Sequence, residues 1–508
     1  MNTYQLPFFA DDLKSLERYY RGKKIHSSSG PQKFGYDLSA KRFDTKLKRW
    51  TSVTVDVEKH WANPKNSNYV VYNKPVYAMA DGEIISGWRN APDNPRPRLP
   101  QENSDKIPFK DRKWLHTALR EDLMPMGGNH LLIQQEDGTK SLYGHFAPGT
   151  IPPELCPNNK PFYDQPNEKD ATAIPEAQRV KVAKGQFLGF VGNSGNSTGP
   201  HLHVHMQTDD KQPVEIRFVR GLATPLNGDQ ANINKWTRFA EKQIPPGRVL
   251  IWPPRKLHSE FARHRFPAQI FQRLFDHLAD SGYMPEWLDG YSVGGKTFYN
   301  MVWRPAEGKW RAFFGQTAGD YQQKIDDAKA DGFVPVHLDS YLSGGKVRHA
   351  VIFAKIAGAW RARHGLTVDA HQKVFNQAVK DGFRPVCISV VSVNGERRYT
   401  VLYHKVNLGN WQAKSRMSTT SYQKFVNDNK AADRKPLYVN AYLHNGKSHF
   451  SAICAEKPNG AWRARHGLTA DEHQDEWEDA LDDGLLTRVV TGYDGAKKNH
   501  RFASVWRK

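Results

Sequence analysis

Two periods run through this chain. Residues 69–86 and 130–146 alternate apolar with polar side chains on either side of an Asp-Gly dipeptide, Asp81-Gly82 and Asp137-Gly138. Alternation sends successive side chains to opposite faces and Asp-Gly favours a tight turn, so each stretch predicts a pair of strands. A further strand, carrying His201, His203 and His205, follows a glycine-rich turn over 192–199. Residues 1–24 instead mix acidic and basic side chains around Leu13, Leu16 and Tyr19-Tyr20, which predicts a short leading helix. Prolines break the pattern twice, predicting a loop from Pro152 to about residue 178 and an extended linker ending near Pro254.

Beyond residue 257 the pattern repeats. Trp360-Arg-Ala-Arg-His-Gly-Leu-Thr367 returns letter for letter at Trp462–Thr469, with looser copies at Trp310–Thr317 and Trp411–Ser418, and the Trp spacings are 50, 51 and 51. After each block a Thr or Ser opens a segment such as 367–382, with apolar positions at helical period and a closing glycine. Cap, period and terminal glycine predict a helix. Two alternating segments joined at Gly294-Gly295, Gly344-Gly345, Asn394-Gly395 or Asn445-Gly446 predict a hairpin. The unit therefore reads as ββα. Residues 265–281 supply a helix without a preceding hairpin and 485–507 a hairpin without a following helix, which predicts one unit split across the two ends. Units this small cannot bury an apolar face alone and must stack. The expected architecture is a mainly β, antiparallel catalytic domain over 1–222, a proline-rich linker over 223–257, and an α+β repeat domain over 258–508. Five ββα units are expected there, closed into a ring.

Composition narrows the setting. A length of 508 residues suits several domains, and a formal charge of +20 with a pI near 9.6 points to polyanionic surroundings. Cys156, Cys387 and Cys454 are odd in number and far apart, which argues against a disulfide framework and against a thiolate metal site. No apolar run approaches the roughly 20 residues of a membrane span. The N-terminal stretch lacks a basic segment followed by a long apolar one, so no ordinary signal peptide is expected; either the sequence is a mature form, or the protein leaves its cell by lysis or a dedicated secretion machine.

The chemistry gathers at the histidines. On one strand His201, His203 and His205 share a face at roughly 6–7 Å intervals, so that one can hold a metal while a neighbour supports it. A catalytic zinc takes three protein ligands and leaves one position open, so partners must come from elsewhere. Gly35-Tyr36-Asp37-Leu38 offers a carboxylate and Ser141-Leu-Tyr-Gly-His145 another imidazole, both at strand ends.

Those segments carry a resemblance. Gly35-Tyr-Asp37, residues 74–84, residues 129–145 and residues 182–206 resemble, in that order, the LytM or lysostaphin-type zinc metallopeptidases of the M23 family, over about residues 25–210. The resemblance implies a LytM-like, mostly antiparallel β fold and one zinc ion per chain. It implies Asp37 and His203 as zinc ligands, and His145 and His201 as catalytic residues assisting the attacking water and the oxyanion. It departs at one point: the family's His-x-x-x-Asp would need a histidine where Lys33 stands, and an ammonium is a poor ligand. The nearest upstream histidine, His26, is the expected third ligand, with His60 as a weaker substitute. The implied activity is an endopeptidase cutting peptides of bacterial peptidoglycan, including glycine-rich or cross-bridge ones, in the periplasm or the extracellular wall.

The repeats resemble bacterial tandem-repeat modules found beside hydrolase domains, and are read as targeting or substrate-presenting. Stem or cross-bridge peptides are the expected partners, with a secretion machine and an immunity or inhibitor protein beside them; no nucleic acid is expected. The rival reading is an inactive M23-like protein that binds or regulates at the wall, without metal. A nucleic-acid binder rests on charge alone.

Overall fold

The computed structural model describes residues 3–22, 29–227, 236–495 and 498–508. The chain is mainly antiparallel β and divides into two compact units, Met1–Lys256 and Leu257–Lys508.

In the first unit a 12-stranded sheet is built around three neighbours, Tyr36–Asp44, Leu202–Gln207 and Lys140–Phe146. Their pairing is antiparallel, and the register sets His203 directly opposite Asp37 on one side and Gly144 on the other. One face explains why these segments are strands at all. Leu38, Leu202, Val204 and Tyr143 are at most 1 % exposed, and each such apolar side chain contributes about 1.5–3 kcal/mol on burial. The hairpin at Asp137-Gly138 forms as expected, with Asn129–Gln134 paired to Lys140–Phe146.

Three expectations change in this unit. The segment read as a leading helix is a strand, Glu17–Arg21, paired with Tyr36–Asp44; its Tyr19 is buried in the core, which fixes a period of two. The stretch 223–257 is not a free linker. It carries the end of Phe218–Pro225 together with Thr237–Lys242 and Val249–Trp252, all in the same sheet, and Val249–Trp252 pairs with Glu17–Arg21. Its prolines fall between strands or at a strand end, where no ladder N–H is lost. Finally, Asp81-Gly82 is no hairpin: Pro75–Tyr77 pairs with Phe187–Phe190, while Gly82–Trp88 pairs with Asn129–Gln134.

The second unit holds five three-stranded sheets, each with one helix. The order within each is strand, helix, strand, strand, so the unit is βαββ rather than ββα. In the third, Trp360–Leu366 leads, Val368–Lys380 is the helix, and Arg384–Val393 and Glu396–His404 form the hairpin, with the last strand central. The ββα reading gave the Trp block no strand. It is an edge strand, half-exposed on both faces, with a bulge between Arg363 and Leu366 where Gly365 takes φ +68°. Since Phe261–Pro267 leads the first sheet, no unit is split across the ends.

Local chemistry matches each element. Thr317, Thr367, Ser418 and Thr469 cap their helices through the side-chain oxygen. The turns at Gly294-Gly295, Gly344-Gly345, Asn394-Gly395 and Asn445-Gly446 have positive φ at both residues, the geometry of a two-residue type I′ hairpin.

Each sheet leaves its second strand as a free edge, which the next unit closes. Gly290 N donates to Asp339, Ser340 N to Ser389 and Val390 N to Asn440, at 2.8–2.9 Å. Ala441 N donates to Thr491 at 3.3 Å, and Gly492 N donates to Asp289 at 2.9 Å. Asp289, Asp339, Ser389, Asn440 and Thr491 occupy the same place in successive units, and all are buried. The last of these bonds joins the fifth unit to the first, as does Trp287 Nε1 to the Val490 carbonyl at 2.8 Å.

Candidate metal centre

Four of the five expected site residues meet. Asp37 Oδ1 lies 3.0 Å from His203 Nδ1 and 3.4 Å from His201 Nε2. The His145 ring centre is 4.7 Å from that of His201 and 6.0 Å from that of His203. His26 lies outside the described residues. His60 is engaged elsewhere: Asn68 Nδ2 bonds its Nδ1 at 3.1 Å and its ring packs on Trp61 and Tyr69.

Backbone carbonyls set two of the tautomers. His145 Nδ1 lies 2.8 Å from the Ser194 carbonyl and His201 Nδ1 2.8 Å from the Gly199 carbonyl. A carbonyl only accepts, so both rings carry the proton on Nδ1; the His145 Nε2 keeps a lone pair, while the His201 Nε2 faces the Asp37 carboxylate, which favours its protonated form. His203 differs, turning Nδ1 to Asp37 while its Nε2 sits 2.8 Å from His205 Nδ1. That second imidazole is buried and fixes the orientation of the first.

Charge separates the two outer histidines. Burial, reinforced by His201 and His203, holds His145 well below the ordinary imidazole range. Burial would also lower His201, but the Asp37 carboxylate beside it raises it on balance.

The loop behind the histidines is tightly crossed. A Cβ on Gly195 would stand 2.3 Å from Gly128 N, and one on Gly128 only 2.4 Å from the Ser194 carbonyl carbon. Glycine at both positions lets the backbones touch, and so places the Ser194 carbonyl on His145. Polar residues that sequence reasoning passed over sew the loop down. Asn94 Nδ2 donates to the Gly195 carbonyl, Ser194 Oγ to the Phe146 carbonyl, and Asn129 bonds Ala91 and Phe146. Asp93 accepts from Asn193 N at 2.7 Å and from Tyr72 Oη at 2.8 Å. Asn193 and Ser194 lie in the glycine-rich turn and could have been suspected; nothing in the spacing marks Asp93, Asn94 or Asn129.

A carboxylate oxygen and an imidazole nitrogen meeting at one point are suitable donors to zinc. Among the described residues, no three His, Cys, Asp or Glu side chains form a complete cage. The described residues thus fit two protein ligands of a zinc site.

Comparison with known proteins gives two results. The polyglycine hydrolase-like structural repeat matches residues 259–306, 307–356, 357–406, 409–456 and 459–508. Among solved structures, the chain is similar to pseudoalterin, an M23 metalloprotease from the deep sea, at 14% identity over 50% of this chain and 99% of that one, with a TM-score of 0.22. It is also similar to the catalytic domain of the prophage-encoded M23 protein EnpA from Enterococcus faecalis, at 16% identity over 39% of this chain and 88% of that one, with a TM-score of 0.18. The catalytic domain of lysostaphin from Staphylococcus simulans follows at 18% identity, 39% and 82% coverage, and a TM-score of 0.17. The second unit thus matches a polyglycine hydrolase-like structural repeat, and the solved structures to which the chain is similar include M23 proteins.

Proposed function

We propose that the first unit is a zinc-dependent endopeptidase cutting peptides of bacterial peptidoglycan, glycine-rich or cross-bridge ones among them, and that the repeat unit targets it. The observation that carries this reading is the meeting of His201 and His203 at one Asp37 oxygen, with His145 beside them. Asp37 and His203 would hold one zinc, with His26 as the third ligand. When bound, zinc polarises a peptide carbonyl and lowers the pKa of water toward about 7.

The protein's own groups supply the rest. Both rings are locked at Nδ1: His145 offers an Nε2 lone pair that can orient water and take its proton, and His201, held toward its protonated form by Asp37, can donate to the oxyanion. Once protonated, the His145 nitrogen also faces the tetrahedral oxyanion and stabilises it. The buried pocket around His145 favours a neutral ring that is ready to act as base. The net charge of +20 supports an anionic polymer as the setting, in the periplasm or the outer wall. The name of the matching repeat supports glycine-rich peptides as substrates. We read the five units as a closed ring, supported by the bonds of Asp289 and Trp287 to the fifth unit.

The test is lysis of a peptidoglycan suspension by the full chain. His145→Ala and His201→Ala should each slow clearing by about 10²–10⁴-fold while zinc is kept, and His203→Ala should lose zinc and lysis together. Clearing at the wild-type rate by all three would contradict the proposal.

A further inference from the structure

The repeat unit holds a cavity of about 460 Å³ at the hairpin end of its second strands, a size ordinary for a ligand pocket. All five units reach it through equivalent positions. At one of these the units carry Ser292, Leu342, Ser392, Leu443 and Asp494, so a single carboxylate enters an otherwise neutral ring.

That carboxylate is under-used. Asp494 Oδ1 is buried and has no hydrogen-bond partner. The Gly294 amide donates to the group and Lys498 lies near it, yet burial outweighs both and raises its pKa. A cation arriving in the cavity would relieve that cost. Gly295, Gly344, Gly345 and Gly395 are in its lining, so part of its wall is bare backbone. Each second strand is also the edge of its sheet; the amides of Gly290, Ser340, Val390, Ala441 and Gly492 there are taken by the neighbouring unit, which leaves the outward positions two residues on, Ser292, Leu342, Ser392, Leu443 and Asp494, to meet a ligand. At these positions the Leu342 carbonyl accepts from Ser292 Oγ across the boundary between units.

We propose that this cavity binds the free amino terminus of a peptide with small side chains, its ammonium against Asp494 and its first amides along the strand edges. The ammonium rests on the cavity alone; the choice of a peptide over other amines rests on the proposed function.

Triglycine titrated calorimetrically into the full chain tests this, beside N-acetyltriglycine and the variants Asp494→Asn and Asp494→Ser. Serine is the residue the first and third units carry at this position, so the hairpin should be kept. Triglycine should bind the wild type, and acetylation or either substitution should weaken it at least about tenfold. No binding up to about 10 mM triglycine, or equal binding by Asp494→Ser, would overturn the inference. A parallel clearing assay separates the two readings. Lysis without triglycine binding removes only this inference, and binding without lysis supports it while removing the peptidase.

Discussion

At the scale of residues, the site is held by backbone that other side chains could not form. His145 itself takes φ +69°, a left-handed conformation that costs a non-glycine residue on the order of 1–2 kcal/mol. Its amide donates to the Gly127 carbonyl and its carbonyl accepts from Gly192, so the strain is pinned from both sides. Gly195, at φ +73° and in contact with Gly128, is the most sensitive neighbour. Gly195→Ala should cost about 3 kcal/mol in urea unfolding and slow clearing further, because the Ser194 carbonyl that sets the His145 tautomer must move. A variant with wild-type stability and activity would contradict this packing account. Asp37, His145, His201 and His203 were legible in the sequence because Asp37, His145 and His203 fall on adjoining strands and His201 at the turn that opens one of them. Asp93, Asn94 and Asn129 were not, because they act on loop backbone from distant segments, and no local period records such a bond.

At the scale of elements, the hairpins and helix caps of the repeats were legible because each depends on two or three adjacent residues. The lead strand of each unit was not. Trp360–Leu366 is an edge strand whose sides are both half-open, so the apolar alternation that marks a strand is missing. The strand Glu17–Arg21 was misread for a related reason: five residues are too few for a period of two to stand out from one of 3.6. The bonds between units were equally hidden, since an aspartate, a serine, an asparagine and a threonine serve equivalent places. They give a direct test of how the units close. Asp289 accepts from Gly492 N, Thr491 Oγ1 and Asn300 Nδ2, and Asp339 accepts from Gly290 N and Ser389 Oγ. Removing either acceptor strands buried donors, so Asp289→Ala and Asp339→Ala should each destabilise by about 2–4 kcal/mol in denaturant. A cost for Asp339→Ala with none for Asp289→Ala would show that the first and fifth units do not meet.

At the scale of the whole molecule, burial of titratable groups makes stability depend on pH. Burial lowers His337, His349 and His371 to about 4 and His473 to about 3, against an ordinary 6.5. Their neutral forms are the folded ones, so unfolding takes up protons between about pH 6.5 and 4, and stability falls as pH falls through that window. Asp289 and Asp339, raised by burial, the latter to about 7, bind protons in the folded state and oppose the trend, as do Asp93 and Asp494. The lowered histidines, His130, His264 and His404 also among them, outnumber these carboxyls. The net slope should be on the order of 1–3 kcal/mol lost per pH unit, read as a falling thermal midpoint from pH 6.5 to 4.5. A midpoint that rises on acidification would reverse the balance argued here.

In the proposed function the first unit is built around a zinc. Metal analysis of the purified full chain, after dialysis against trace zinc, tests it most directly when His203→Ala and His26→Ala are measured beside the wild type. About one zinc per wild-type chain is expected, lost in both variants along with the clearing of peptidoglycan. A wild-type chain with no zinc, or one whose zinc survives the loss of His203, would contradict it.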